Sequence, residues 1–193
     1  MTYHNDNDYL AHHGIKGQRW GVKNGPPYPL SEWSASEKKY KYRAIRADKT
    51  RKDVDSIINS LNSDERDKVL AGSDHYLNLE EGSNVVVRSL KKIGDKPISF
   101  FDVLEDDNNE LQVALATRSG DEYRGKGYGY KTAKKGMDWI ESHREDFLDK
   151  TVIWGVRTDN EGSIRIAKKL GFEMDKSSYS DDKRWVNYTK KIK

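Results

Sequence analysis

The run Tyr123-Arg124-Gly125-Lys126-Gly127-Tyr128-Gly129 sets glycine at three alternate positions between a strand-like stretch, Leu111 to Thr117, and a helix-like stretch, Tyr128 to His143. Glycines in that setting let the backbone turn tightly and aim several N–H groups at one spot. Amides gathered at the positive end of a following helix make an anion cradle that suits a pyrophosphate, since no side chain blocks close approach. Further on, Asp159-Asn160-Glu161-Gly162-Ser163 reads as a second polar contact and Leu170-Gly171-Phe172 as a helix end. The G-x-G-x-G spacing differs from the G-x-G-x-x-G dinucleotide fingerprint. No Gly-Lys-Ser/Thr follows that would hold a magnesium-bound triphosphate.

The elements that must hold this cradle are legible from period and punctuation. Val85 to Leu90, Ile98 to Leu104 and Leu111 to Thr117 read as short strands, separated by the turn formers Ile93-Gly94-Asp95-Lys96-Pro97 and Asp106-Asp107-Asn108-Asn109. They form an antiparallel meander. The helix after the glycines has Tyr130, Ala133, Met137 and Ile140 on one face and leads to the buried-strand run Val152 to Val156. Strand, helix, strand in that order implies a parallel pair on either side of the helix. A short helix from Ser163 to Leu170 ends at Gly171, and Trp185 to Thr189 is a last strand. Ahead of the strands, Val54, Ile57, Ile58 and Leu61 have helical spacing, and Ser63, with Asp64 and Glu65 behind it, reads as the N-cap of a further helix.

Taken together, these residues resemble the GNAT superfamily of N-acetyltransferases, whose cofactor loop has the pattern Arg/Gln-x-x-Gly-x-Gly/Ala. Arg124, Gly127 and Gly129 occupy those places, with Gly125 between them, and Asn160 with the helix ending in Leu170-Gly171-Phe172 matches the second hallmark. The resemblance covers roughly residues 83–193. It implies an α+β fold: a mixed central sheet, mostly antiparallel with one splayed parallel strand pair, flanked by helices. Acetyl-CoA would lie in the splay as cosubstrate. Its pyrophosphate would sit on the amides of Arg124, Gly125, Lys126, Gly127, Tyr128 and Gly129, its pantetheine arm along Leu115, Ala116 and Thr117, and Asn160 would hydrogen-bond it from the far side. The implied chemistry is direct attack of an amine on the thioester. Many members carry a tyrosine acid three positions before the Leu of Leu-Gly-Phe, and this chain has Ala167 there.

The remaining proton carriers are chosen from the residues. Asp102 is the first candidate base, because a carboxylate inside the apolar run Phe100 to Leu104 breaks the strand pattern. Glu122, next to the glycine loop, is the second. Tyr179 and Tyr188, near the acceptor side, are candidate acids in place of Ala167.

Composition bounds the rest. Without cysteine there is no disulfide or thiol catalysis, and a net charge of +3 does not argue for nucleic acid. The eight basic residues between Lys38 and Lys52 match no nucleic-acid-binding motif and read as a solvated helical arm. No apolar run approaches membrane-spanning length, and the N-terminal residues, rich in His, Asp and Asn, form no apolar signal core, so neither a membrane span nor a signal peptide is expected. His12 and His13 lack a third ligand other than His4, so no metal is expected. The division expected is an irregular docking segment, 1–30; a charged helical arm, 31–82, with Ser34 and Glu37 spaced as a capping box; and the acetyltransferase domain, 83–193. Residues 10–22, around His12-His13-Gly14-Ile15-Lys16-Gly17-Gln18-Arg19-Trp20, resemble a short element near the N-termini of bacteriophage and prophage head-associated proteins. That resemblance implies a phage head protein as a docking partner and a place in the bacterial cytoplasm or on the virion. The reading is thus an N-acetyltransferase acting on an amine acceptor, and the alternative is a non-catalytic phage protein that keeps the fold.

Overall fold

The computed structural model describes residues 50–69, 85–105 and 110–193. The docking segment, the Ser34 capping pair and most of the basic arm lie outside them. The elements in chain order are a helical stretch at residues 50–58 (α1), α2 at Ser63–Val69, β1 at Val85–Ile93, β2 at Lys96–Glu105 and β3 at Leu111–Thr117. These are followed by α3 at Tyr128–Ser142, a 3-10 turn at Arg144–Phe147, β4 at Thr151–Arg157, α4 at Glu161–Lys169, β5 at Glu173–Asp175, a 3-10 turn at Lys176–Ser178 and β6 at Trp185–Lys191. No described helix is long and apolar enough to cross a membrane.

One six-stranded sheet runs in the order β1-β2-β3-β4-β6-β5. Every neighbouring pair is antiparallel except β3 with β4, which is parallel. The meander and the parallel pair are therefore as expected, and the sequence reading lacked only the three-residue edge strand β5 and the 3-10 turns. Gly94 (φ +55°) turns β1 into β2 within two residues, a conformation that costs glycine little.

The sheet is covered on both faces, which explains why Pro97 to Leu104 of β2 is buried without alternation. On one face α3 lays Ala133, Met137 and Ile140 against Phe101, Val103, Leu111, Val152 and Trp154. On the other, Val54, Ile57, Ile58 and Leu61 cover Val85, Phe100, Leu104, Ala114 and Ala116. Each such aliphatic side chain contributes roughly 1.5–3 kcal/mol by leaving water. The segment at residues 50–61, expected as part of an arm, thus closes one face of the core. A detail differs at α2. Its N-cap is Asn62 rather than Ser63: Asn62 Oδ1 accepts from the Glu65 amide (2.9 Å) while Glu65 Oε2 accepts from the Asn62 amide (3.1 Å). Both orphan amides are satisfied reciprocally, which Ser63 one position later could not do.

Candidate active site

Parallel pairing between β3 and β4 is confined to Leu111 with Val152 and Gln112 with Ile153. Beyond that point β3 continues to Thr117 on β2, and β4 continues to Arg157 on β6, with a gap between them. The phase of the β3 backbone is fixed by the Arg118 amide, which donates to the Ile98 carbonyl at 2.7 Å. Peptide groups alternate along an antiparallel ladder, so Ala114 and Ala116 turn theirs to β2 while Val113, Leu115 and Thr117 turn theirs into the gap. The Ala116 carbonyl takes a further donation from the Ser99 hydroxyl at 2.8 Å. Of the three residues expected to line an extended ligand arm, Leu115 and Thr117 have the open edge, and Ala116 is engaged with β2.

At the mouth of the gap lies the glycine turn. Gly125 (φ +70°) and Gly127 (φ +76°) are left-handed, and a Cβ on either would meet nothing within 4 Å. The Tyr123 and Arg124 amides both donate to the Gly120 carbonyl at 3.0 Å. The Arg124 amide, one of the six expected to meet the pyrophosphate, is therefore occupied. The next engaged amide is that of Lys131, bonded to the Gly127 carbonyl at 3.0 Å. Between them the amides leading into the first turn of α3 have no intrahelical acceptor, as at any helix start, and Gly127 caps α3 without a side chain. Gly129 is close-packed, since a Cβ there would stand 3.2 Å from Thr117 Oγ1 and 3.3 Å from Ile166 Cδ1. Free amides, empty space above two glycines and the exposed Lys126 and Arg124 side chains fit a phosphate-bearing ligand.

Across the gap, Asn160 is the N-cap of α4: its Oδ1 accepts from the Ser163 amide at 3.2 Å. Its carboxamide N–H2 remains to reach a ligand. Gly171 (φ +80°) ends α4, with the Phe172 amide on the Ala167 carbonyl and the Gly171 amide on the Lys168 carbonyl. This is a Schellman closure, and it swings Phe172 edge-on to Trp154 with ring centroids 5.4 Å apart. Ala167 is fully buried in the same cluster.

The four candidate proton carriers sit in different settings. Asp102 is wholly buried under α1, with Oδ1 accepting from Arg88 Nε at 2.8 Å and Oδ2 from Arg88 Nη2 at 2.6 Å. A carboxylate with both oxygens on a buried guanidinium is a structural ion pair. Glu122 is exposed and folds its carboxylate back over Gly120. Tyr179 is 40% exposed, its hydroxyl 3.8 Å from Met174 Sδ. Tyr188 is buried beside Trp154 on β4, and burial raises its phenol above the ordinary value, the nearby Tyr179 adding to the shift.

What motif reading missed is the role of α2, which packs against both β3 and β4. On the β3 side, Glu65 Oε1 accepts from Arg124 Nη2 at 2.8 Å and from the Ser119 hydroxyl at 3.3 Å. On the β4 side, the buried Arg157 guanidinium donates to Asp159 through Nε (2.7 Å) and Nη2 (2.8 Å), and Nη2 also reaches Asp64. Its hydrogen bonds to the Asp159 and Asp64 carboxylates hold Arg157 protonated well beyond its ordinary range. The Asp64 carboxyl is lowered by Lys68 and then Arg157, and the Asp159 carboxyl by Arg157. The available signals were the Asn62-x-x-Glu65 box and an arginine closing a buried strand run.

A mixed sheet opened beyond its one parallel strand pair, with a glycine turn at the helix start beside the opening, is the fold of an acetyltransferase-like domain. The chain belongs to the acetyltransferase (GNAT) domain family, whose model matches residues 29–173. No curated protein matches the sequence. Among solved structures, the GNAT domain of S. lividans PAT is similar at 14% identity and a TM-score of 0.54, covering 75% of this chain and 86% of that one. An acetyltransferase from Agrobacterium tumefaciens is similar at 19% identity and a TM-score of 0.44, over 53% of this chain and 59% of that one. The yncA protein of Salmonella typhimurium, solved with acetyl-CoA, is similar at 16% identity and a TM-score of 0.42, over 54% and 63%. The match therefore spans less than two thirds of the Agrobacterium and Salmonella chains.

Proposed function

We propose that this chain is an acetyl-CoA-dependent N-acetyltransferase that moves an acetyl group to a primary amine. The observation that carries the reading is the β3–β4 gap with the Gly125–Gly129 cradle at its mouth. In that arrangement the amides from Gly125 onward and the α3 dipole hold the pyrophosphate, with Lys126 adding a solvated charge. The exposed edge of Leu115 and Thr117 orients the pantetheine arm as an added strand. The bound thioester supplies an acyl carbon, where the amine forms its C–N bond as the C–S bond breaks. The amine loses a proton and the thiolate gains one. Since Asp102 is engaged by Arg88, Glu122 or a solvent water is the better proton acceptor. Tyr188, kept neutral by burial, is the better donor in the cluster that also contains Ala167.

Two measurements test the reading. Calorimetry should show acetyl-CoA binding, and a thiol-release assay with a library of primary amines should show transfer above thioester hydrolysis. A second reading, a binding protein without turnover, is favoured by Ala167 standing where an acid would act; binding without amine-dependent thiol release would select it. The phage origin and the docking of residues 10–22 on a head protein are part of the proposal and rest on the N-terminal resemblance. Co-sedimentation with virions, lost on deleting residues 1–30, would support them.

A further inference from the structure

The residue that should help receive the ligand's phosphates is engaged by another group in the structure as it stands. Arg124 adjoins Gly125, the first residue of the cradle, and its guanidinium is paired with Glu65 of α2. The same carboxylate oxygen holds Ser119, two residues beyond the end of β3. Neighbouring contacts show that this is a built junction. The Ser119 amide donates to the Ser60 hydroxyl at 3.3 Å, and Arg118 reaches the Ser56 hydroxyl at 2.6 Å and the Pro97 carbonyl at 2.9 Å. The stretch leading into the cradle is thus moored at four points on residues 56–65 and the β2 start. Of the two side chains that hold Glu65 Oε1, Arg124 alone is a cation, and it sits at the cradle's edge with its side chain 45% exposed.

On the acetyl-CoA reading above, we infer that Glu65 is an internal competitor of the cofactor's phosphates. With no phosphate in the cradle it holds Arg124. A pyrophosphate in the cradle, carrying more charge and acceptor oxygens than one carboxylate, draws the guanidinium away. The exchange uncovers the Glu65 carboxylate at the mouth of the gap, beside the end of β3. There it is presented to the protonated amine of the acceptor. The α2 helix stays in place during this exchange, because Asp64 and Lys68 hold it independently to Arg157 and Asp159 on the β4 side.

Glu65→Gln is the informative variant, since glutamine preserves the capping box with Asn62 and removes only the charge. An exchanged ion pair at this exposure is worth up to about 1 kcal/mol, so Glu65→Gln should bind acetyl-CoA about two- to fivefold more tightly. Arg124→Gln should bind more weakly than the natural chain, and adding Glu65→Gln to it should change nothing further. Asp67→Asn removes the same charge from the exposed side of α2 and should leave affinity unchanged. In the amine-library assay at saturating acetyl-CoA, Glu65→Gln should transfer at least about fivefold more slowly, despite its tighter cofactor binding. If the natural chain binds acetyl-CoA but Glu65→Gln does not tighten it, or tightens it equally without Arg124, the competition is overturned. Tightening with undiminished transfer overturns the acceptor role. Absence of binding in every variant overturns the acetyl-CoA reading and this inference with it.

Discussion

Gly127 and Gly129 sit two residues apart in one motif, yet a side chain would fail at each for a different reason. At Gly127 there is open space, but φ +76° strains an L-residue by roughly 1–2 kcal/mol and sets a side chain where phosphate should approach. At Gly129 the backbone is helical and the obstacle is Thr117 Oγ1 and Ile166 Cδ1. Gly127→Val should therefore weaken acetyl-CoA binding more than it lowers thermal stability, and Gly129→Val should do both. Lys126→Ala should cost less affinity than either, since it removes a solvated charge. Calorimetry beside thermal melts separates the three; equal affinity in all would mean that the loop is structural only. This much of the site was legible, because glycine spacing reports backbone conformation directly. The partners of Arg124 and Asp102 were not, because Glu65 lies 59 residues before the one and Arg88 faces the other only across a strand pair.

Among elements, the covered strand pair β1–β2 makes the sharpest prediction. Arg88 and Asp102 face each other across it with side chains 5% and 0% exposed. Removing one partner leaves the other charge buried and uncompensated, so Arg88→Met should destabilise the fold by about 3–5 kcal/mol. The double variant Arg88→Met with Asp102→Leu should recover most of that loss in urea unfolding. If Asp102→Asn instead left stability untouched and abolished transfer, a catalytic Asp102 would be restored. The apolar period of the longer elements was readable in sequence, and so were the boundaries of β3 and α3 to within a residue or two. An inward charge reads alike whether it is a base or half of an ion pair; only the partner strand decides.

At the scale of the whole molecule, residues 50–61 and α2 are bound to the sheet more firmly than an arm would be. A chain beginning at Gly82 would expose the apolar face of Val85, Phe100 and Leu104 and should not fold cooperatively, whereas one beginning at Ser31 should. The junction on the β4 side can be followed by pH. Asp64 and Asp159 are both lowered from an ordinary value of 3.8, by Lys68 with Arg157 and by Arg157 respectively. A carboxylate lowered by folding contributes stability that is fully present above its unfolded pKa and is lost as pH falls through the folded one. The contribution of Asp159 should thus be constant from neutrality down to about pH 5 and fade below about pH 4. The natural chain should melt higher than Asp159→Asn by a fixed interval over the upper range, and the two melting curves should converge in acid. The absence of any interval at neutral pH would show that Arg157 is held by Asp64 alone, and that β4 is joined to α2 without help from the loop that begins α4.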